Sequence, residues 1–124
     1  MRKVWFSVFI VFLLSSVALT GCGPSVPDAP TGVSATPGNG QVTIAWTAVS
    51  RAAYYNIYWS TAAGVTPANG TLIADVAAGA ATPSFTQQGL SNGTIYYYVV
   101  TAVDAEGGES PASAQVSAEP STLS

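Results

Sequence analysis

Hydrophobic and polar residues alternate over short segments through most of the chain, and turn-forming residues separate these segments. In residues 41–46 the side chains of Val42, Ile44 and Trp46 fall on one face, and the intervening side chains fall on the other. A period of two is typical of a β-strand with one buried face. The turn-forming sequence PGNG, residues 37–40, comes directly before this predicted strand.

A second predicted strand, residues 54–59, is rich in aromatic side chains. Polar Asn56 sets its phase, because a polar side chain belongs on the solvent face of a half-buried strand. The inward set is then Tyr55, Ile57 and Trp59, and the outward set is Tyr54, Asn56 and Tyr58.

Further segments complete an all-β pattern without a sustained helical period. Residues 94–103 form the longest predicted strand, and residues 71–76, 83–88 and 113–118 are shorter ones. Phe85 is the expected core residue of its strand. About seven strands, with turn signals at intervals of roughly 8–12 residues, indicate a β-sandwich.

The composition excludes several kinds of chemistry. The chain has no histidine and one cysteine, so a Ser-His-Asp triad, a cysteine/histidine zinc site and an internal disulfide are all impossible. Asp104, Glu106 and Glu109 share one segment, but their spacing matches no established calcium loop and the interleaved glycines favour a solvated loop. We therefore expect no metal, no cofactor and no enzymatic activity.

The first 21 residues have the pattern of a secretory signal. Arg2 and Lys3 precede an apolar run, and small residues follow it up to Cys22. Residues 4–20 are at the short limit for crossing a hydrocarbon core of about 30 Å, and no basic stop-transfer cluster follows them. Two alternatives stay open: an ordinary signal with a chance cysteine, and a retained anchor helix.

The sequence LTGC, residues 19–22, resembles the lipobox of bacterial lipoproteins. The resemblance implies that the Cys22 thiol receives a diacylglycerol, that residues 1–21 are removed, and that the new amine is acylated. It also implies sorting to the outer membrane rather than the inner one in a Gram-negative host, because Gly23 stands where aspartate favours retention. The predicted location is the bacterial cell envelope, with the membrane contacted through acyl chains.

Residues 22–29 are predicted to be a short, stiff tether, because prolines favour an extended backbone. Removing Arg2 and Lys3 with the signal leaves Arg51 against six acidic residues, a net charge of −5. An acidic chain of this kind repels nucleic-acid phosphates and offers no electrostatic attraction to anionic lipid. We expect no nucleic-acid partner.

Residues 27–120 resemble a fibronectin type III domain. The resemblance rests on Pro30, on Trp46, on the Tyr-x-Ile-x-Trp pattern from Tyr55, and on Leu90 six residues before Tyr96. It implies a seven-stranded Greek-key β-sandwich of the immunoglobulin-like class over residues 30–120, with a tail at 121–124, and a tyrosine corner at Tyr96. The family's Arg-Gly-Asp integrin motif is absent from the predicted loop at residues 104–110.

A candidate binding face follows from the strand phases. Tyr54, Tyr58 and Tyr97 are expected on the outer face of one sheet, beside Val99 and Val103, as an exposed aromatic patch. Cross-strand pairing in a purely structural role is the competing interpretation. The sequence thus predicts a membrane-anchored, non-enzymatic module with an interaction or structural role, whose partner is an envelope protein or a glycan. The alternative is a carbohydrate- or polymer-binding accessory module.

Overall fold

The computed structural model describes residues 26–122, and these form an all-β sandwich. The predicted signal, Cys22 and the last two residues lie outside the described residues. No helix long and apolar enough to cross a membrane occurs between residues 26 and 122. The strands are β1 (Ser34–Gly38), β2 (Gln41–Ala45), β3 (Tyr54–Ser60), β4 (Thr71–Ala77), β5 (Ser84–Gln87), β6 (Tyr96–Val103) and β7 (Val116–Ala118).

The strands form two antiparallel sheets that pack face to face. One sheet has the order β1-β2-β5, and the other has the order β4-β3-β6-β7. This arrangement confirms the predicted seven-stranded sandwich. Six strands lie where the sequence pattern places them, to within a few residues. β1 was not predicted, because its sequence SATPG lacks a hydrophobic alternation and only part of its surface is covered.

β7 is shorter than predicted, because residues 109–113 pair with β6 through serine side chains. Ser113 donates its backbone N–H to Val100 O (2.8 Å), and its hydroxyl oxygen accepts the Val100 N–H (2.9 Å). Ser110 makes the same two contacts with Ala102, at 2.8 and 2.9 Å. The backbone N–H and C=O groups on this edge of β6 therefore have hydrogen-bond partners beyond the end of β7, as buried backbone groups require.

The core between the sheets contains the side chains that the strand phases turn inward. Trp46 and Tyr55 are almost fully buried and meet edge to face, with ring centroids 5.1 Å apart and an interplanar angle of 70°. Such a geometry aligns the positive edge of one ring with the negative face of the other. The Tyr96 hydroxyl accepts the Ser91 N–H (3.0 Å), which is the expected tyrosine corner. Trp59 packs beside this ring at 5.7 Å.

The two ends of the sandwich hold different parts of the chain. The N-terminal end holds Val26 and the β2–β3, β4–β5 and β6–β7 connections, and Arg51 there donates to Val26 O (3.0 Å). The far end holds the other three connections and the segment after β7, and Ser121 N–H there donates to Gly38 O (3.0 Å). Each connection joins antiparallel directions, so successive connections alternate between the two ends.

Candidate functional site

The three tyrosines of the predicted binding face do lie on the outer face of the four-stranded sheet. In the β3–β6 ladder Tyr54 is opposite Val103, and Tyr58 is opposite Val99. Tyr97 is opposite Ser60 at the other end of the same ladder. Residues that face each other in an antiparallel pair share a face of the sheet. The predicted strand phases are therefore confirmed for β3 and β6.

The prediction that this face is exposed is wrong at its centre. Tyr58 retains only 7% of its surface in contact with solvent, and Val99 and Val103 retain 3% and 2%. Tyr58 forms a small buried cluster with Val99 and with Val65 of the β3–β4 connection, and Tyr97 and Ala112 pack against this cluster. Loops that fold back over the sheet bury the middle of the face.

Gln115 fastens the two covering segments together. Its Oε1 accepts the backbone N–H groups of Gly64 (2.8 Å) and Val65 (3.2 Å). Gly70 also belongs to this cover, because a Cβ on it would lie 2.7 Å from Val65 Cγ2 and 3.0 Å from Tyr58 Cβ. The absence of a side chain at position 70 allows the connection to pack tightly against Val65 and Tyr58.

Tyr54 and Tyr97 stay partly exposed, but they do not form one patch. They lie at opposite ends of the β3–β6 ladder, since Tyr54 pairs with position 103 and Tyr97 with position 60. Six residues of extended strand separate these rungs, which is about 20 Å. A single small ligand therefore cannot contact both rings.

The Glu109 carboxylate is the centre of a polar network on the same face. Its Oε2 accepts hydrogen bonds from the Tyr58 hydroxyl (2.6 Å), the Thr101 hydroxyl (2.6 Å) and the Asn56 amide (3.5 Å). Burial raises the pKa of Glu109, but hydrogen bonds from Thr101, Tyr58 and Asn56 outweigh it, and the pKa is lowered. Burial, together with the adjacent carboxylate, raises the pKa of Tyr58 to about 12.

Asp104 organises the β6–β7 connection. It is 6% exposed, and its Oδ1 accepts the N–H groups of Glu106 (3.0 Å) and Gly108 (2.8 Å). The expectation of a solvated loop is therefore wrong for Asp104, while Glu106 and Glu109 are exposed. Within residues 26–122 no group of three or more histidine, cysteine, aspartate or glutamate side chains is placed to hold a metal ion.

The far end carries an open depression of about 450 Å³. It lies between the β5–β6 connection and the segment after β7, and its lining includes Asn92, Glu119 and Thr122. The Asn92 side chain is already engaged: its Oδ1 accepts the Gly40 N–H (2.8 Å) and its amide donates to Asn39 Oδ1 (3.0 Å). No sequence signal pointed to this depression, because its walls come from segments far apart in the chain.

Comparison with known proteins gives one consistent result. The family model for the fibronectin type III domain matches residues 28–119. An amylopullulanase of Thermoanaerobacter thermohydrosulfuricus is 38% identical over 101 residues, which is 82% of this chain and 6% of that protein. A poly(3-hydroxybutyrate) depolymerase of Ralstonia pickettii is 40% identical over 92 residues, covering 73% of this chain and 16% of that protein.

A solved structure, an Fn3-like protein from Clostridium thermocellum, superposes with a TM-score of 0.59 at 35% identity, covering 75% of this chain and 92% of that one. The chain spans only a small part of the curated relatives that it matches. The matched region in this chain is the sandwich itself, with its buried tryptophan and its tyrosine corner. This chain belongs to the fibronectin type III family.

Proposed function

We propose that this protein is a lipid-anchored, non-enzymatic module of the bacterial cell envelope, which holds a fibronectin type III sandwich close to the membrane for interaction with an envelope protein or glycan. One observation carries the proposal. The lipobox cysteine, Cys22, precedes the packed sandwich by only four residues, since Val26 already contacts Arg51 and Pro27 is buried. A signal, an attachment residue and a folded domain follow one another directly.

The charge of the chain supports attachment by acyl chains rather than by surface electrostatics. After removal of residues 1–21, Arg51 is the one basic residue among residues 22–124, against six acidic ones. Such a surface gains nothing from anionic headgroups. Each buried methylene of an acyl chain contributes about 0.8 kcal/mol, so two or three chains hold the protein at the bilayer.

Metabolic labelling tests the anchor directly. The full chain is expressed in a bacterial host with an alkyne fatty acid, beside the matched variant Cys22→Ala. The wild-type protein is expected to carry the label and to sediment with membranes, and the variant is expected to lose both. An unlabelled wild-type protein, or equal labelling of the variant, would overturn the proposal.

The proposed sorting has its own test. The residue after the cysteine is Gly23, so in a Gram-negative host the protein is expected in the outer-membrane fraction of a density gradient. Gly23→Asp is expected to move it to the inner-membrane fraction, with Gly23→Ala as the matched control. A wild-type protein in the inner-membrane fraction would contradict outer-membrane sorting, and identical distributions of the two variants would show that position 23 does not direct it; either result leaves the anchor itself intact.

A second candidate function is a carbohydrate- or polymer-binding accessory module. The similarity to segments of amylopullulanases and of a poly(3-hydroxybutyrate) depolymerase favours it. The separated rings of Tyr54 and Tyr97 limit it, because only an extended polymer would contact both. Co-sedimentation with insoluble starch and with polyhydroxybutyrate granules distinguishes the two functions. Binding that is lost in Tyr54→Ala or Tyr97→Ala supports the accessory module, and no binding to either polymer counts against it.

A further inference from the structure

The start of the packed chain is held at one end of the sandwich by two separate loops. The Arg51 guanidinium of the β2–β3 connection donates to Val26 O (3.0 Å). On the other side, a Cβ on Gly108 of the β6–β7 connection would lie 3.2 Å from Val26 Cγ1, so the valine side chain rests against this glycine. Pro27 and Pro30 are buried immediately afterwards. The chain therefore leaves the domain from a defined place at the N-terminal end.

The distance from this place to the attachment residue is short. Cys22 precedes Val26 by four residues, and four residues of fully extended chain span at most about 14 Å. The sandwich is longer than this, because the eight residues of β6 alone extend about 26 Å from one end to the other. An inverted sandwich, with its far end on the bilayer, would hold Val26 about 26 Å from the surface, which is farther than this tether reaches.

We propose that the anchor holds the sandwich upright on the membrane, with the N-terminal end facing the lipid and the far end directed away from it. This orientation rests on the proposed lipidation of Cys22. The part of the sandwich farthest from the bilayer is then the far end, with the β1–β2 turn, the β5–β6 connection and the depression bounded by Asn92 and Glu119. The β2–β3 and β6–β7 connections face the headgroups.

The charge at the N-terminal end fits a surface that stands beside the lipid without entering it. Glu106 and Asp28 are exposed there, and Arg51 already donates to a backbone oxygen. Carboxylates near anionic headgroups repel over a Debye length of about 8 Å at physiological ionic strength. The short tether and this repulsion together keep the N-terminal end close to the bilayer but outside it.

Energy transfer from a fluorophore to the bilayer surface tests the orientation. Ala105→Cys places a thiol in the β6–β7 connection, and Ser91→Cys places one in the β5–β6 connection; both positions are exposed and neither change alters the charge. Acylated Cys22 does not react with maleimide, so each purified lipoprotein labels once. The proteins are reconstituted in phosphatidylcholine vesicles that contain acceptor-labelled headgroups.

Transfer is expected to be at least about twofold greater from position 105 than from position 91, because the two sites differ in height by about 25 Å. Equal transfer, or greater transfer from position 91, would overturn the orientation. A matched variant with ten glycine and serine residues inserted after Gly23 lengthens the step from Cys22 to Val26 from four to fourteen residues, a tether of roughly 20 Å root-mean-square length. In this variant the ratio of the transfer from position 105 to the transfer from position 91 is expected to fall toward one. An unchanged ratio would show that the tether does not set the orientation.

The wild-type protein separates failure of the orientation from failure of the anchor. If its thiol labels fully with maleimide and it does not float with vesicles, Cys22 is not acylated, and the anchor and the orientation both fall. If it resists labelling and floats with vesicles while the two cysteine variants give equal transfer, only the orientation falls.

Discussion

Glu109 and Tyr58, which are 51 residues apart in the sequence, are joined by a 2.6 Å hydrogen bond from the tyrosine hydroxyl to the carboxylate. The same carboxylate oxygen accepts the Thr101 hydroxyl at 2.6 Å. This contact fixes the β6–β7 connection onto the outer face of the sheet. The centre of the aromatic face that the sequence places in solvent, at Tyr58, belongs with Val65 and Val99 to a second, small core.

Glu109→Ala is predicted to lower the free energy of unfolding by about 1–2 kcal/mol, because two hydroxyl donors, one of them on fully buried Thr101, lose a charged acceptor. Urea denaturation at neutral pH measures the change. Glu106→Ala is the matched control, since Glu106 is an exposed acid of the same connection, as Glu109 is, but does not accept the Tyr58 and Thr101 hydroxyls; it is expected to change stability by less than about 0.5 kcal/mol. Equal effects of the two substitutions would show that the carboxylate network does not stabilise the fold.

The same network is expected to make the free energy of unfolding depend on pH under acidic conditions. The pKa of Glu109 is lowered on folding from its ordinary value of 4.5, so its contribution is complete above about pH 4.5 and is lost as the pH falls through the lower folded value. In Glu109→Gln this part of the acid destabilisation is expected to disappear. Denaturation midpoints of the two proteins between pH 2 and 6 give the comparison, and parallel curves would contradict the prediction.

Tyr58 is expected to make the free energy of unfolding fall as the pH rises under alkaline conditions. Its pKa rises from 10.0 to about 12 on folding, so its contribution is complete below about pH 10 and is lost as the pH rises toward 12. The stability difference between wild type and Tyr58→Phe is therefore expected to shrink over this range. Both proteins keep Tyr98, whose pKa burial also raises, so this second effect cancels in the comparison. A constant difference from pH 9 to 12 would show that Tyr58 ionises alike in both states.

Gln115→Ala is predicted to loosen the cover over Tyr58. The Gly64 and Val65 N–H groups lose their acceptor, and their hydrogen exchange is expected to become faster while exchange in β6 stays unchanged. Ser117→Ala, an exposed change on the same edge segment, is the control. If both variants exchange like the wild type at positions 64 and 65, the side chain of Gln115 does not hold the connection down.

Tyr96→Phe is predicted to cost about 1 kcal/mol of stability, because the Ser91 N–H loses the hydroxyl that accepts it. Tyr97→Phe is a matched control on the same strand, since the Tyr97 hydroxyl makes no hydrogen bond within residues 26–122. Thermal denaturation of the two variants gives the comparison. An equal loss of stability in both would remove the tyrosine corner as the cause.

The hydrophobic alternation was sufficient to place six of the seven strands and to separate the inner from the outer side chains. Trp46, Tyr55 and Tyr98 are buried as expected, because a period of two is decisive wherever one face of a strand is covered. The strand β1 escaped prediction because its side chains carry no such period. The resemblance of the residues around Tyr96 to one family supplied the topology that the pattern alone left open.

The burial of Tyr58 could not be predicted in the same way. A strand pattern says which face a side chain occupies, but it does not say whether a distant connection folds over that face. The cover depends on contacts of Val65, Gln115 and Glu109 that span about 50 residues. Polar residues in a loop normally indicate solvent, and here their hydrogen bonds instead attach the loop to the sheet.

The central claim is that Cys22 is the acylated first residue of the mature protein, and the intact mass of the protein extracted from bacterial membranes tests it most directly. We predict a chain that begins at Cys22 and carries the added mass of its acyl chains. A mass that retains residues 1–21, or that matches an unmodified chain cleaved at another position, would contradict it.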